Sequence, residues 1–472
     1  MTQQESKLPF REMLAFGCGD FASVLYWQTF MVYLPYFYTD IFGLSAGALG
    51  TMLLISRIWD GVNDPMIGMA ADRTESRWGK FRPFILFGCV PFAIFGVLTF
   101  TTPGFGPAGK VIWAYLTYNG LMMLYTTVNI PYTALMGVMT NNPVERTRLS
   151  SIKFIFAFSA GMVISATLLP MVSALGGAHN PQHGWQMAFL VVGLVAIGFF
   201  LVVVFGTKER IHPAPDPNSS VLRDLKYLVT NDAWVLLLAT TLTWILFVAL
   251  RSSVSAHYFK YYIYNGAPDT PLPFLGRTFS LDGLLSSFNT LGQAASVLGV
   301  VLTSMIVSKV PKRALFIAMF VLSILATGAY LFLQPGQLGA IFVLQVLGSF
   351  VGAPLPVLLW AMYADTADYG EWKSGRRTTA LVFSASTMSQ KFGWAIAAFV
   401  AFHLLQFVGF QANEIPSAEV KGSLVRLMSI YPAILGIISI GIFLFYPLNE
   451  KRMVEINEDL RKRTATAAGA PA

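Results

Sequence analysis

Apolar stretches close to 20 residues long recur along almost the whole chain, separated by short breaks rich in charge, glycine or proline. About 20 apolar residues is the length a helix needs to cross about 30 Å of hydrocarbon. The pattern predicts twelve membrane-spanning helices, near 17–40, 45–70, 83–102, 110–138, 150–173, 185–206, 233–262, 281–308, 313–334, 338–365, 378–408 and 425–447. A polar segment containing HPAPDPNSS divides the sixth from the seventh. The predicted organisation is an all-α membrane protein: a six-helix bundle over 1–206, a linker over 207–232, a second six-helix bundle over 233–447 and a charged tail over 448–472.

Composition supports this reading and excludes a soluble enzyme. Hydrophobic residues make up 55% of the 472 and charged residues only 12%, against roughly 25% charged in soluble domains. Phenylalanine-rich aromatic content suits interfacial belts, and also surfaces on which sugar rings stack. Cys18 and Cys89 lie in apolar segments and imply neither a disulfide nor a metal framework. The polar start through Glu12 runs into an apolar helix without a small-residue cleavage site, so the first span is expected to act as its own insertion signal.

The basic residues report topology. With a cytoplasmic N-terminus, 24 of the 32 Lys and Arg fall in segments on that side, five fall on the other, and Arg57, Arg251 and Lys391 fall within spans. Positive residues are retained on the cytoplasmic side of short loops. Twelve spans with both ends cytoplasmic is therefore expected, and the net charge of +8 is a topology signal, not a nucleic-acid footprint. Six plus six helices around a linker is the layout of the major facilitator architecture, in which two bundles rock around a central site.

Ionisable groups inside a span cost roughly 3 kcal/mol on insertion scales and need a partner or a wet cavity. Asp20 lies early in the first span, and the second reads RIWDGVNDP, with Arg57, Asp60 and Asp64. Asp60 and Asp64 share a helix face, with Arg57 on the same side. One arginine does not neutralise three carboxylates in a low-dielectric setting. A bound Na⁺ or a shared proton would supply the missing charge, with Asn63 and Thr126 as neutral oxygen donors. The plainer reading has Arg57 pair with Asp60 and leaves Asp64 as a helix-end residue.

Asn129 sits two residues before Pro131, which would free backbone groups towards a cavity, or it makes an interhelical hydrogen bond. Lys153 either snorkels to the interface or serves gating or ligand binding. Lys391, deep in the eleventh span, is a cavity candidate. Between the second and third spans, Gly68, Asp72, Arg73 and Arg77 in GMAADRTESRWGKFRP have the spacing of a conformational latch, expected to act through charge pairs and helix dipoles. SKVPKR (308–313) holds the corresponding place in the second half but lacks an acidic residue. The five histidines form no metal or catalytic constellation, so neither an enzyme nor a cofactor beyond a coupling cation is expected. The polar stretch NGAPDTPLPFLGRTF (265–279) reads as an external lid or an insertion.

YFYTDIFGLSAGALGTMLLISRIWDGVNDPMIGMAADRTESRWGKFRP (36–83), NIPY (129–132) and ADTADYGEWKSGRR (364–377) resemble signatures of the glycoside, pentoside and hexuronide cation symporters, and are spread over both halves. The resemblance implies the major facilitator fold and Na⁺- or H⁺-coupled symport of a sugar or glycoside by alternating access in a bacterial-type inner membrane, by a monomer without a cofactor. It puts Asp60, Asp64, Asn63 and Thr126 on cation-binding positions. It puts Asp20, Tyr26, Trp27, Asn129, Thr133, Lys153, Trp360 and Lys391 at or near substrate-binding positions, the tryptophans as stacking residues alongside Trp372. The family's melibiose branch carries an aspartate, a tryptophan and an arginine where this chain has Asn129, Thr133 and Lys153, so the resemblance argues against an α-galactoside and leaves a different sugar or a glycoside, the asparagine version being similar to the glucuronide and pentoside branches. Related carriers that move lysophospholipids with Na⁺, and a sensor that binds sugar without moving it, are the alternatives.

Overall fold

The computed structural model describes residues 8–140, 143–177, 180–210, 228–268, 270–306, 310–375 and 379–467. Six long helices occupy the first half: α1 (Phe10–Val32), α2 (Ala46–Arg73), α3 (Arg82–Thr99), α4 (Pro107–Met139), α5 (Pro143–Gly176) and α6 (Pro181–Gly206). The second half holds α7 (Asp232–His257), α8 (Leu281–Ile306), α9 (Lys312–Gly328), α10 (Leu338–Gly352), α11 (Pro354–Ser374), α12 (Thr379–Phe407), α13 (Ala418–Met428), α14 (Ile430–Phe443) and α15 (Glu450–Ala467). The tenth span is α10 with α11, joined at Ala353 before Pro354, and the twelfth is α13 with α14, so each is interrupted where the sequence predicts one run.

Local chemistry sets several ends. Ser45 caps α2 by accepting from the Ala48 amide at 3.3 Å, and Asn180 caps α6 by accepting from the His183 amide at 3.0 Å. Proline occupies the first turn of α3, α4 and α6, where its missing N–H costs nothing. Nine membrane-spanning candidates by length and apolar composition are found among the described residues. The helices α1, α2 and α12 are long enough but more polar, and they carry Asp20, the Arg57–Asp60–Asp64 group and Lys391.

The chain divides into two compact units. One comprises Met1–Pro215 with Ser253–Thr290 and Phe399–Val420, and so combines α1 to α6 with the adjoining ends of α7, α8 and α12. In it α1 packs on α5 and α6, α3 on α4 and α6, and α2 on α4. Lipid provides no hydrophobic drive between helices, so close approach and van der Waals contact hold them. At Gly184 a Cβ would meet the Val172 carbonyl, which is how α6 comes against α5. Phe100 stacks on Phe189 at 3.6 Å and on Trp185 at 5.5 Å. A short antiparallel hairpin, β1 (Leu272–Phe274) with β2 (Arg277–Phe279), pairs Leu272 with Phe279 inside the stretch read as lid or insertion.

The other unit comprises Asp216–Ser252, Leu291–Ala398 and Lys421–Ala472. Its core includes Phe247, Phe316, Phe320, Leu358, Tyr363 and Phe443, with α9 packed on α10 and α14. The final helix α15 lies on α11: Ile456 and Met453 are buried, and Trp372 donates to Asp459 at 3.2 Å with the Arg452 guanidinium 5.1 Å from its ring. Trp372 is therefore a packing residue of the tail helix.

The two units share a way of closing one helix end. Glu209, just beyond α6, accepts from the backbone amides of Lys80, Phe81 and Arg82 at 2.7, 2.9 and 3.1 Å, capping α3, while the Arg82 Nε donates to the Val204 carbonyl at 2.7 Å. Gly79 makes room for that carboxylate with φ +107°, a conformation that favours glycine. In the second unit Glu450, the first residue of α15, accepts from the Lys312 amide at 2.6 Å at the start of α9, and Arg313 donates to the Leu444 carbonyl at 2.7 Å. The acid that SKVPKR lacks locally comes from elsewhere: Asp365 of α11 pairs with Lys312 at 2.5 Å.

Candidate functional site: a charged cluster on α1, α2, α4 and α5

The predicted charges of α2 face inward. Arg57 donates from Nη1 to the Asp60 Oδ2 at 2.8 Å, with 4% and 1% of their side-chain surfaces exposed. The guanidinium also lies 5.3 Å from the Trp27 ring centre on α1, and Trp27 stacks with Tyr125 of α4 at 5.9 Å. Arg57 and Asp60 thus form the pair expected on the plainer reading. Asp64 does not end the helix, which runs on to Arg73, and it is no bystander: Thr126 of α4 donates to its Oδ1 at 2.8 Å. Asn63 is buried, and its amide nitrogen has no hydrogen-bond partner among the described residues.

These side chains meet because of spacing. Positions 57, 60 and 64 follow one stripe of α2, and that stripe packs against α4. Carboxylate, hydroxyl and amide oxygens are the donors that hard cations take. The residues present therefore fit a Na⁺, and a carboxylate there can equally carry a proton. The described residues hold no cluster of three or more His, Cys, Asp or Glu of the kind that grips a transition metal.

A second group is centred on Asp20, about two turns before Trp27 on α1. Asp20 Oδ1 lies 3.7 Å from Lys153 Nζ of α5, too long for a hydrogen bond, and the ammonium rests 5.9 Å from the Tyr132 ring centre. Tyr132 is fixed from behind, donating to the Phe16 carbonyl at 2.9 Å and stacking on Phe16 at 4.9 Å. Lys153 thus lies beside a carboxylate and an aromatic ring. Tyr125 of α4, stacked with Trp27, also lies 6.0 Å from the Phe92 ring of α3. The Lys153 ammonium sits loosely against Asp20, which leaves the carboxylate able to accept further hydrogen bonds.

Other predicted residues fall elsewhere. Thr133 donates to the Asn129 carbonyl at 2.9 Å and approaches its Oδ1 at 3.3 Å, so the two form one polar step on α4. The helix continues through Pro131, in keeping with the single span predicted over 110–138. Tyr26 is fully buried between α1, α3 and α6, at 4.2 Å from Phe92 and close over Gly96, so it is packing of the bundle and is not brought to Asp20. Trp360, on α11, packs against Tyr363 at 6.0 Å, and Lys391 is half-buried on α12; both belong to the second unit. Arg77 is exposed over the Trp78 ring, and Gly68 has open space around it. The side chains of Asp72 and Arg73 lie outside the described residues.

Sequence reasoning missed Tyr125, Tyr132 and Glu209. The tyrosines recur at 118, 125 and 132, every seven residues along α4, a periodicity that would have placed them on one face. Beyond the spans, Glu12 accepts from both terminal nitrogens of Arg210 at 2.7 and 2.8 Å, and these hydrogen bonds, helped by the carboxylate charge, push the arginine pKa up against the opposing effect of burial. That clamp ties the start of α1 to the segment after α6.

A family model described as MFS/sugar transport protein matches residues 15–450. The chain belongs to this family. Among MFS/sugar transport relatives, the putative glycoside/cation symporter YagG of Escherichia coli (strain K12) is 35% identical over 462 residues, covering 98% of this chain and 96% of that protein. An isoprimeverose transporter of Lactiplantibacillus pentosus is 33% identical, covering 98% and 94%. The fold is similar to the crystal structure of a bacterial homolog of the human lysosomal transporter Spinster, with TM-score 0.68 at 15% identity over 96% of this chain and 99% of that one. The protein is a multi-pass membrane transporter of the major facilitator fold, and not an enzyme.

Proposed function

We propose that this protein carries a sugar or glycoside together with Na⁺ or H⁺ by alternating access. The observation that carries the reading is Asp64, a carboxylate inside a spanning helix, hydrogen-bonded to Thr126 beside the Arg57–Asp60 pair. The Asp64 carboxylate, the Thr126 hydroxyl and the Asn63 amide supply the oxygen donors a hard cation takes, and the carboxylate can carry a proton. The relatives' names support the coupling and the cargo class: one is described as a glycoside/cation symporter and another as an isoprimeverose transporter.

On this reading Asp60, Asn63, Asp64 and Thr126 hold the cation. In the first unit Asp20, positioned by Lys153 and Tyr132, accepts substrate hydroxyls beside Trp27, Asn129 and Thr133; in the second unit Trp360 and Lys391 are the residues proposed to contact substrate. A pentoside or hexuronide suits Asn129 and Lys391, since an amide pairs with hydroxyls and an ammonium with a carboxylate. The carrier sits in the inner membrane as a monomer with both termini cytoplasmic, as the bias of 24 of 32 Lys and Arg to one side supports. No cofactor takes part beyond the coupling ion.

Counterflow and uptake in vesicles test this with pentosides, hexuronides, α-galactosides and lysolipids as competitors. Glycosides should compete and lysolipids should not. Competition by lysolipids alone would overturn the cargo, and binding without counterflow would make the protein a sensor.

A further inference from the structure

Asp40, wholly buried at the end of the first span, gathers donors from three separate parts of the first unit. Its Oδ1 accepts from Lys260 Nζ at 2.7 Å and from the Tyr261 hydroxyl. Its Oδ2 accepts from Thr39 at 2.7 Å and lies 3.4 Å from His257 Nε2. Asn413, beyond α12, accepts from Lys260 at 2.6 Å, donates to the Asp40 carbonyl at 2.8 Å and gives its own amide to Tyr261 at 2.7 Å. The cluster therefore joins the ends of α1 and α7 and the segment after α12.

The two helix ends are alike. Tyr36-Phe37 and Ile41-Phe42 recur at the same spacing as Tyr258-Phe259 and Ile263-Tyr264. Each run contains a six-residue π-helix, Phe37–Phe42 and Tyr258–Ile263, a wide-turn geometry common at functional positions. α1 and α7 open the two six-helix halves, so the segments are copies of one element, carrying an acid in the first copy and a base in the second.

We propose that Asp40 and Lys260 form a charge lock that holds the external end of the carrier closed and is broken and remade in each transport cycle. The proposal rests on the orientation and carrier reading given above. Alternating access requires each end to close and reopen. A buried ion pair suits a closure that must be reversible, because desolvation offsets much of its attraction, and when the end opens water solvates both charges. An apolar contact in the same place would add closure that the cycle cannot readily undo.

The test uses Ser286→Cys, a buried position on α8 inside this end, in the full-length carrier with Cys18→Ser and Cys89→Ala. A membrane-impermeant maleimide is added to right-side-out and inverted vesicles. Labelling from the external side should rise about tenfold in Asp40→Asn and in Lys260→Gln, the ratio that corresponds to losing about 1.4 kcal/mol of closure. The exchange Asp40→Lys with Lys260→Asp should bring it back towards the parent. Labelling unchanged in both single variants, or raised and not reversed by the exchange, overturns the lock. Should Asp40→Asn fail to reach the membrane, Lys260→Gln and the exchange decide alone. No sugar is needed, so a protein that carries no glycoside still tests the lock, and a reversed orientation shows as labelling from the inverted side.

Discussion

Thr126 of α4 donates its hydroxyl to Asp64 of α2 across 2.8 Å, and this bond joins two helices next to the buried pair of Arg57 and Asp60. The packing of α2 on α4 thus brings together side chains proposed to hold the coupling ion.

Thr126→Val keeps the shape and removes the oxygen. A hydrogen bond to a charged acceptor contributes about 1.5–3 kcal/mol, so the cation concentration for half-maximal uptake should rise at least tenfold while membrane protein levels stay constant. A cation titration of uptake reads this. An unchanged midpoint would remove Thr126 from the site.

Asp60→Asn leaves the Arg57 guanidinium buried without its carboxylate, which costs about 3–5 kcal/mol. The single variant should unfold in detergent at a clearly lower temperature. Arg57→Gln combined with Asp60→Asn should recover most of that stability and none of the accumulation, because the ion site stays incomplete. Recovery of both would make the pair purely structural.

Asp20→Asn should abolish substrate binding measured by calorimetry and leave thermal stability near the parent, since the 3.7 Å approach of Lys153 contributes little. Lys153→Arg should retain binding more fully than Lys153→Met.

Glu209→Ala removes an acceptor from three amides at the start of α3. Loss of such a cap costs about 1–2 kcal/mol, seen as a melting temperature lower by a few degrees. Gly79→Ala should cost more, because that position needs φ +107° and its Cβ would strike Glu209.

The spans were legible because a run of about 20 apolar residues is a long signal that few alternatives imitate. The charges on α2 were legible for a related reason: each is expensive in lipid and so marks itself. What remained hidden needed long-range pairing. Asp40 looked like a span end and Lys260 like an outside cation, and only the fold, bringing together residues 220 apart, reveals their bond. The repeat of Tyr-Phe and Ile-aromatic around them was the available clue. Tyr26 shows the reverse case: one position from Trp27, it is turned about 100° around α1 and packs against Phe92 and Phe189, away from the Arg57 group that Trp27 meets.

The account turns on Asp64 as the group that couples ion to cargo. In proteoliposomes loaded to give only a Na⁺ or only an H⁺ gradient, the parent protein should accumulate labelled glycoside above equilibrium with one of them, and Asp64→Asn should let it equilibrate and go no further. Accumulation by Asp64→Asn equal to that of the parent would contradict the account.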